Sequence, residues 1–148
     1  MKLVLENFFN IDPVELKDNL LTQDGIIDVQ IDKSKPSIVL NIDYNEKTTP
    51  LSIMNYIESL HDNNYSALFA FDKGTVGKFK TKKYIVDDMC CEYCYRNLVM
   101  DLFENKKIKS VKSNFNYNVP AFNIEFIIEY DEEYSEEELL NYIKEKYN

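Results

Sequence analysis

Met89, Cys91 and Cys94 read as Met-x-Cys-x-x-Cys, and Cys90 adds another thiol, so all three cysteines of this 148-residue chain fall between positions 90 and 94. Thiols this close together have three chemistries open to them: ligation of a soft metal ion, thiol–disulfide exchange, or burial as small hydrophobes. Their position in the chain weighs between these. A strand-like run, Lys82 to Val86, leads into the cysteines, and a helix-like run over 92–103 leads away. A helix N-terminus presents unpaired N–H groups and positive dipole charge, both of which stabilise a thiolate. Cysteine pKa values at such positions fall to roughly 3.5–7.5. The placement therefore favours reactive or metal-bound sulfur over inert core cysteine.

The elements that must hold this turn follow from periodicity. Leu3 and Leu5 share one face of a first strand. Asp12 is placed to N-cap a helix with Pro13 at its first position, Glu15 completing a capping box, and Leu16 and Leu20 as its apolar stripe. Gly25 stops that helix. Ile27, Val29 and Ile31 alternate with polar residues as a second strand, and Ile38, Leu40, Ile42 and Tyr44 line one side of a third. Thr49 and Pro50 open a second helix with Ile53, Ile57 and Leu60 inward, and a fourth strand follows over 65–71. The order strand, helix, strand, strand, helix, strand is the ferredoxin-like split arrangement, one antiparallel sheet with two helices on one face.

From Lys78 the order begins again. The strand Lys82 to Val86, the cysteine turn and a helix carrying Leu98, Leu102 and Phe103 are followed by strands over 108–115 and 122–130. Ser135 and Glu138 then form a capping box for a last helix with Leu139, Leu140 and Ile143 inward. Leu16, Leu20, Ile26 and Val29 match Leu98, Leu102, Ile108 and Val111 at one constant spacing. Tyr44, Asn55, Tyr56 and Ile57 match Tyr130, Asn141, Tyr142 and Ile143 at a spacing four longer. The expected fold class is thus α+β, with two tandem ferredoxin-like βαββαβ domains. These are residues 1–73, without metal ligands, and 78–148, the metal-binding copy, joined across a glycine-containing break. Phe8, Phe9 and Asp12 of the first copy stand where Cys90, Cys91 and Cys94 stand in the second. The second copy is expected to lack its fourth strand, since the sequence reaches Asn148 where that strand should begin. The backbone of Lys82 to Val86 is then left as an edge, to be covered by the first domain or by a second molecule as a homodimer.

Met89-x-Cys91-x-x-Cys94 between a first strand and a first helix, in this element order, resembles the heavy-metal-associated domain family of small metal chaperones and ATPase N-terminal modules. The resemblance covers nearly the whole chain as two copies, the first cysteine-free. It implies Cys91 and Cys94 as metal thiolates, Met89 as a buried residue supporting the loop, and a metal-donor or metal-acceptor protein as partner. The chain departs from the family pattern at Asp88, where glycine is usual, and at Cys90, where threonine is common. Two soft thiolates suit Cu(I), whereas Zn(II) normally takes four ligands. Two arrangements stay open for Cys90: a third sulfur ligand, with Asp87, Asp88 or Glu92 adding oxygen in a site better suited to Zn(II), or a side chain turned away and buried.

Two further readings compete with metal trafficking or sensing. Cys91-Glu92-Tyr93-Cys94 is also a C-x-x-C of the thiol–disulfide exchange type, although a thioredoxin-like context would need a larger, parallel-containing sheet. A non-catalytic pair of protein-interaction domains is the other. His61 reads as solvent-facing, Tyr93 and Tyr95 as ordinary packing, and the acidic run over 131–138 as capping and surface charge.

Composition limits the partners. A net charge of -9 repels nucleic-acid phosphates and anionic lipid. The lysine runs around Lys80 and Lys107 read first as solvated faces and second as docking surfaces for acidic partners. No stretch approaches the roughly 20 apolar residues of a membrane span, and the first ten residues lack a signal-peptide core. A cytoplasmic protein is expected, where clustered thiols point to metal or redox chemistry. Without a catalytic triad, phosphate loop or nucleotide fingerprint, the chain is not expected to be an enzyme.

Overall fold

The computed structural model describes residues 1–6, 12–33, 37–60, 67–88, 92–115 and 122–147. The chain divides into two compact units, Met1–Lys73 and Gly74–Asn148. Among the described residues the secondary structure is α+β, with four helices and antiparallel strands.

The first unit runs β1 (Lys2–Glu6), α1 (Pro13–Leu21), β2 (Ile26–Asp32), β3 (Ser37–Tyr44), α2 (Pro50–Leu60) and β4 (Ala67–Asp72). Its strands pair in the order β2-β3-β1-β4, all antiparallel. Asp12 caps α1 by accepting from the Val14 N–H at 2.9 Å. Leu3, Leu5, Val29, Ile38, Leu40 and Leu68 from the sheet pack with Leu16, Leu20, Ile53, Met54 and Ile57 from the helices, all of them buried. Two expectations change at this level. Ile27 is 62% exposed, because a bulge between Ile26 and Asp28 turns it out of the alternation. Met54 is fully buried whereas Leu60 is only half-buried, so the inward stripe of α2 is centred nearer its start.

The second unit runs β5 (Phe79–Asp88), α3 (Glu92–Glu104), β6 (Ile108–Ser113), β7 (Phe122–Asp131) and α4 (Glu136–Tyr147). Its strands pair as β6-β7-β5. Among the described residues of this unit, β5 is paired by β7 alone, on one side. β5 begins three residues before the expected strand, because its first half keeps pairing with β7 as far as Phe79 opposite Asp131.

The same local contacts recur in both units. The bulge that parts Ile26–Tyr44 from Asp28–Asp43 recurs between Ile108–Tyr130 and Ser110–Glu129. Asn45 N–H donates to the Gly25 carbonyl at 2.9 Å, and Asp131 N–H to that of Lys107 at 2.7 Å. The Asn45 and Asp131 side chains then accept from Lys47 N–H at 2.9 Å and Glu133 N–H at 2.8 Å. Thr49 and Ser135 hydroxyls accept from Ser52 N–H at 3.1 Å and Glu138 N–H at 3.0 Å, capping α2 and α4. Tyr56 donates from α2 to the Asn19 carbonyl on α1 at 3.3 Å, and Tyr142 from α4 to that of Asp101 on α3 at 2.6 Å.

Gly25 differs from its counterpart Lys107 in having φ +93, and a Cβ there would meet Thr48 backbone N and side-chain Cγ2 at 2.9 Å. Gly25→Ala is therefore expected to destabilise the first unit by about 1–3 kcal/mol, read from urea unfolding. A change within 0.5 kcal/mol either way would contradict the close approach, that being about the scatter of neutral surface substitutions. A second expectation concerns Lys73, which is 6% exposed and whose ammonium pKa burial lowers to about 8. A lysine pKa lowered by folding means a cost fully present below pH 8 that is relieved as pH rises toward the unfolded value near 10.5. The stability of Lys73→Met relative to the parent should therefore be greater at pH 7 than at about pH 10.5. A gap independent of pH in thermal melts would rule out desolvation of the charge as its cause.

Candidate metal centre

The last pair of the β5–β7 ladder, Asp88 opposite Phe122, carries β5 to the edge of the cysteine turn. α3 begins four residues later, and Cys94 lies in its first turn. Asn123, between the paired residues Phe122 and Ile124 of β7, has a left-handed φ of 52, a conformation asparagine tolerates better than most residues. The turn thus leaves β5 beside an irregular end of β7.

Tyr95 holds the first turn of α3 in place. Its side chain is fully buried, stacked on Phe115 with ring centroids 4.1 Å apart and on Phe126 at 5.6 Å. The Tyr95 hydroxyl is 2.6 Å from Ser113 Oγ, which also accepts from Phe115 N–H at 3.2 Å. A buried phenol needs such a partner, and Ser113 supplies it at the end of β6. Leu98, Val99 and Leu102 continue the buried face of α3. Successive helical side chains point about 100° apart, so with Tyr95 inward the preceding residue falls at the boundary of the core. Cys94 is accordingly half-buried.

The Cys94 sulfur is disulfide-bonded. The chain's other two cysteines, Cys90 and Cys91, lie outside the described residues, as do Met89, His61, Phe8 and Phe9. Of the expected ligands, the structure therefore positions Cys94 alone, at the helix start where a thiolate would gain dipole stabilisation on reduction. Among the described residues no group of three or more His, Cys, Asp or Glu side chains is gathered as a metal would require. A sulfur held in a disulfide has no thiolate to offer a metal, so ligation at Cys94 requires reduction first.

Tyr95 packs in the core, as expected of it. Ser113 and Phe115, which anchor it, carry no sequence signal that sets them apart, because a serine ending a strand is commonplace and phenylalanine is frequent in this chain. The acidic run also behaves as read: Ser135 Oγ donates to Glu138 Oε1 at 3.2 Å while accepting its N–H, the capping box of α4.

No helix among the described residues is long and apolar enough to cross a membrane. No protein-family model matches the chain, and no curated protein matches it in sequence. Among solved structures it is similar to the N-terminal soluble domains of Bacillus subtilis CopA, with 15% identity and a TM-score of 0.37 over 98% of this chain and 88% of that one.

Proposed function

We infer that the chain is a soft heavy-metal-ion binding module of the chaperone, trafficking or sensing kind, acting in its reduced form through Cys91 and Cys94. The observation that carries this reading is the place of Cys94, in the first turn of the helix that follows an edge strand in a βαββα unit. Cys90 stands ready as a third sulfur and Met89 as support for the loop. Cu(I) is the ion two thiolates satisfy best; Zn(II) becomes competitive if Cys90 and an oxygen donor join them. The partner is then a protein that delivers or accepts the ion by ligand exchange, and the reducing cytoplasm is the compartment that keeps the thiols available.

The two units are two copies of one ferredoxin-like module, a reading supported by the recurrence of their bulge, turn and capping contacts. The first copy has no cysteine and serves as a scaffold or protein-contact domain. A catalytic role is not part of the proposal.

A second reading is favoured by one specific observation, the disulfide at Cys94. In that reading the pair cycles between disulfide and dithiol with a partner thiol. The two readings share a first step: the disulfide takes up two electrons and two protons to give two thiols. They part at the next, where a metal ion displaces the thiol protons or a substrate disulfide accepts the electrons.

Competition titration of the reduced protein with Cu(I), Zn(II) and Cd(II) against a chromophoric chelator tests the first reading. Parent protein should outcompete the Cys91→Ser/Cys94→Ser double variant by about 100-fold or more for at least one ion, and the oxidised protein should bind none. Cys90→Ser should leave Cu(I) affinity within about threefold and weaken Zn(II) if Cys90 is its ligand. Equal affinity of parent and double variant for all three ions would remove the metal reading, and steady exchange with glutathione near roughly -200 to -230 mV would then support the redox one.

A further inference from the structure

Every face of β1 and β5 can be compared once their registers are set side by side. Leu3 lies opposite Leu40 and Leu5 opposite Ile38; Tyr84 lies opposite Phe126 and Val86 opposite Ile124. Lys2 therefore corresponds to Lys83, Leu3 to Tyr84 and Leu5 to Val86. In the first unit β1 is paired on its other side by β4, antiparallel, with Lys2 opposite Asp72, Leu3 opposite Phe71 and Leu5 opposite Leu68. Among the described residues of the second unit, nothing occupies the corresponding place along β5.

The side chains around that place carry the consequence. Leu3, Leu5 and Met54 are fully buried in the first unit. Their counterparts Tyr84 and Leu140 are half-buried, and Val86 retains 7% exposure. The apolar residues beneath the β5 edge are thus less fully covered than their counterparts beneath β1. Above them the edge is basic: Lys78, Lys80, Lys82 and Lys83 lie within nine residues that contain no acid, in a chain of net charge -9. Lys82 and Lys83 have ion pairs, to Glu136 at 2.6 Å and Glu125 at 3.2 Å, and Lys80 sits over the Tyr130 ring at 5.3 Å. These are partly exposed pairs, which contribute little and exchange readily for another carboxylate.

We propose that the free edge of β5 binds an extended, acidic segment of another protein as an added antiparallel strand, in the place and direction that β4 occupies against β1. Backbone hydrogen bonds supply the attachment and alternate side chains the selection, as in other strand-addition complexes. The register dictates the ligand's order. Apolar residues come first, seated over Val86 and Tyr84, and acidic residues follow, facing Lys83, Lys82 and Lys80. Asp72 opposite Lys2 is the chain's own example of this match. A second copy of β5 is a poor occupant, since antiparallel self-pairing centred on the basic half sets lysines against lysines. The inference is independent of metal binding.

The probe is a fluorescein-labelled peptide with the sequence of residues 67–72 followed by two glutamates; its control carries lysines in place of the terminal aspartate and glutamates. Fluorescence anisotropy with the full reduced chain should show saturable binding of the acidic peptide. Its affinity should fall by about tenfold or more in Lys80→Glu/Lys83→Glu, while the lysine peptide gains, since complementary rim charge sets partner choice. Amide exchange should slow across 79–88 when peptide is bound. The proposal is overturned if neither peptide binds, if both bind the parent equally, or if protection appears outside 79–88. Concentration-dependent dimerisation that protects 79–88 without peptide would overturn it as well, by assigning the edge to a second copy.

Discussion

The burial of Tyr95 is the constraint on which the cysteine turn depends. A helix start has four unpaired N–H groups and little stability of its own there. Stacking on Phe115 and Phe126, together with the hydroxyl contact to Ser113, fixes that first turn to β6 and β7. The β5–β7 ladder fixes the other end of the turn as far as Asp88. The position of Cys94 at the rim of the core is consistent with helix geometry, one residue before the inward Tyr95.

The recurrence of contacts between the units has a physical reading beyond sequence matching. Matching leucines in two helices would arise in any pair of amphipathic helices of similar length. A bulge at the same place in two strand pairs is a stronger coincidence, because bulges interrupt the ladder and are not required by the hydrophobic pattern. Here the bulge comes with the same carbonyl contact from the following turn, the same side-chain cap of that turn, and a tyrosine from the second helix reaching the same carbonyl of the first. The units differ in the spacing between their first strand and first helix. β1 and β5 correspond at a spacing one residue shorter than α1 and α3, and α3 starts three residues earlier than the counterpart of Pro13.

Much of this was legible in the sequence because element order and core side depend on periodicity. Leu3, Leu5, Ile38, Leu40, Ile42, Leu98, Leu102 and the β7 alternation all face inward as their spacing implies. Ile27 could not be read correctly, because a bulge leaves no mark in a run of alternating residues. Leu140 fits the helical stripe and yet stays half-buried, since burial depends on what lies beyond the helix and not on its pattern. The cysteine turn was legible as a place but not as a state: spacing says that two thiols are near each other, and the disulfide at Cys94 is a property of redox poise.

That state links the two halves of the site's chemistry. A cysteine at a helix start is a better thiolate, and a better thiolate is both a better soft-metal ligand and a better leaving group when its disulfide is attacked. The features that suit Cys94 to ligation therefore also make its disulfide easier to reduce. Dipole stabilisation does not choose between metal exchange and electron exchange; it lowers the barrier between the oxidised form and the form that binds. The choice falls to what else surrounds the turn: the described surroundings hold an apolar anchor at Tyr95, and among the described residues no three His, Cys, Asp or Glu side chains are gathered. In general an ion held by few bonds is open to capture by a partner's thiols, whereas a dithiol passes on its electrons to another disulfide.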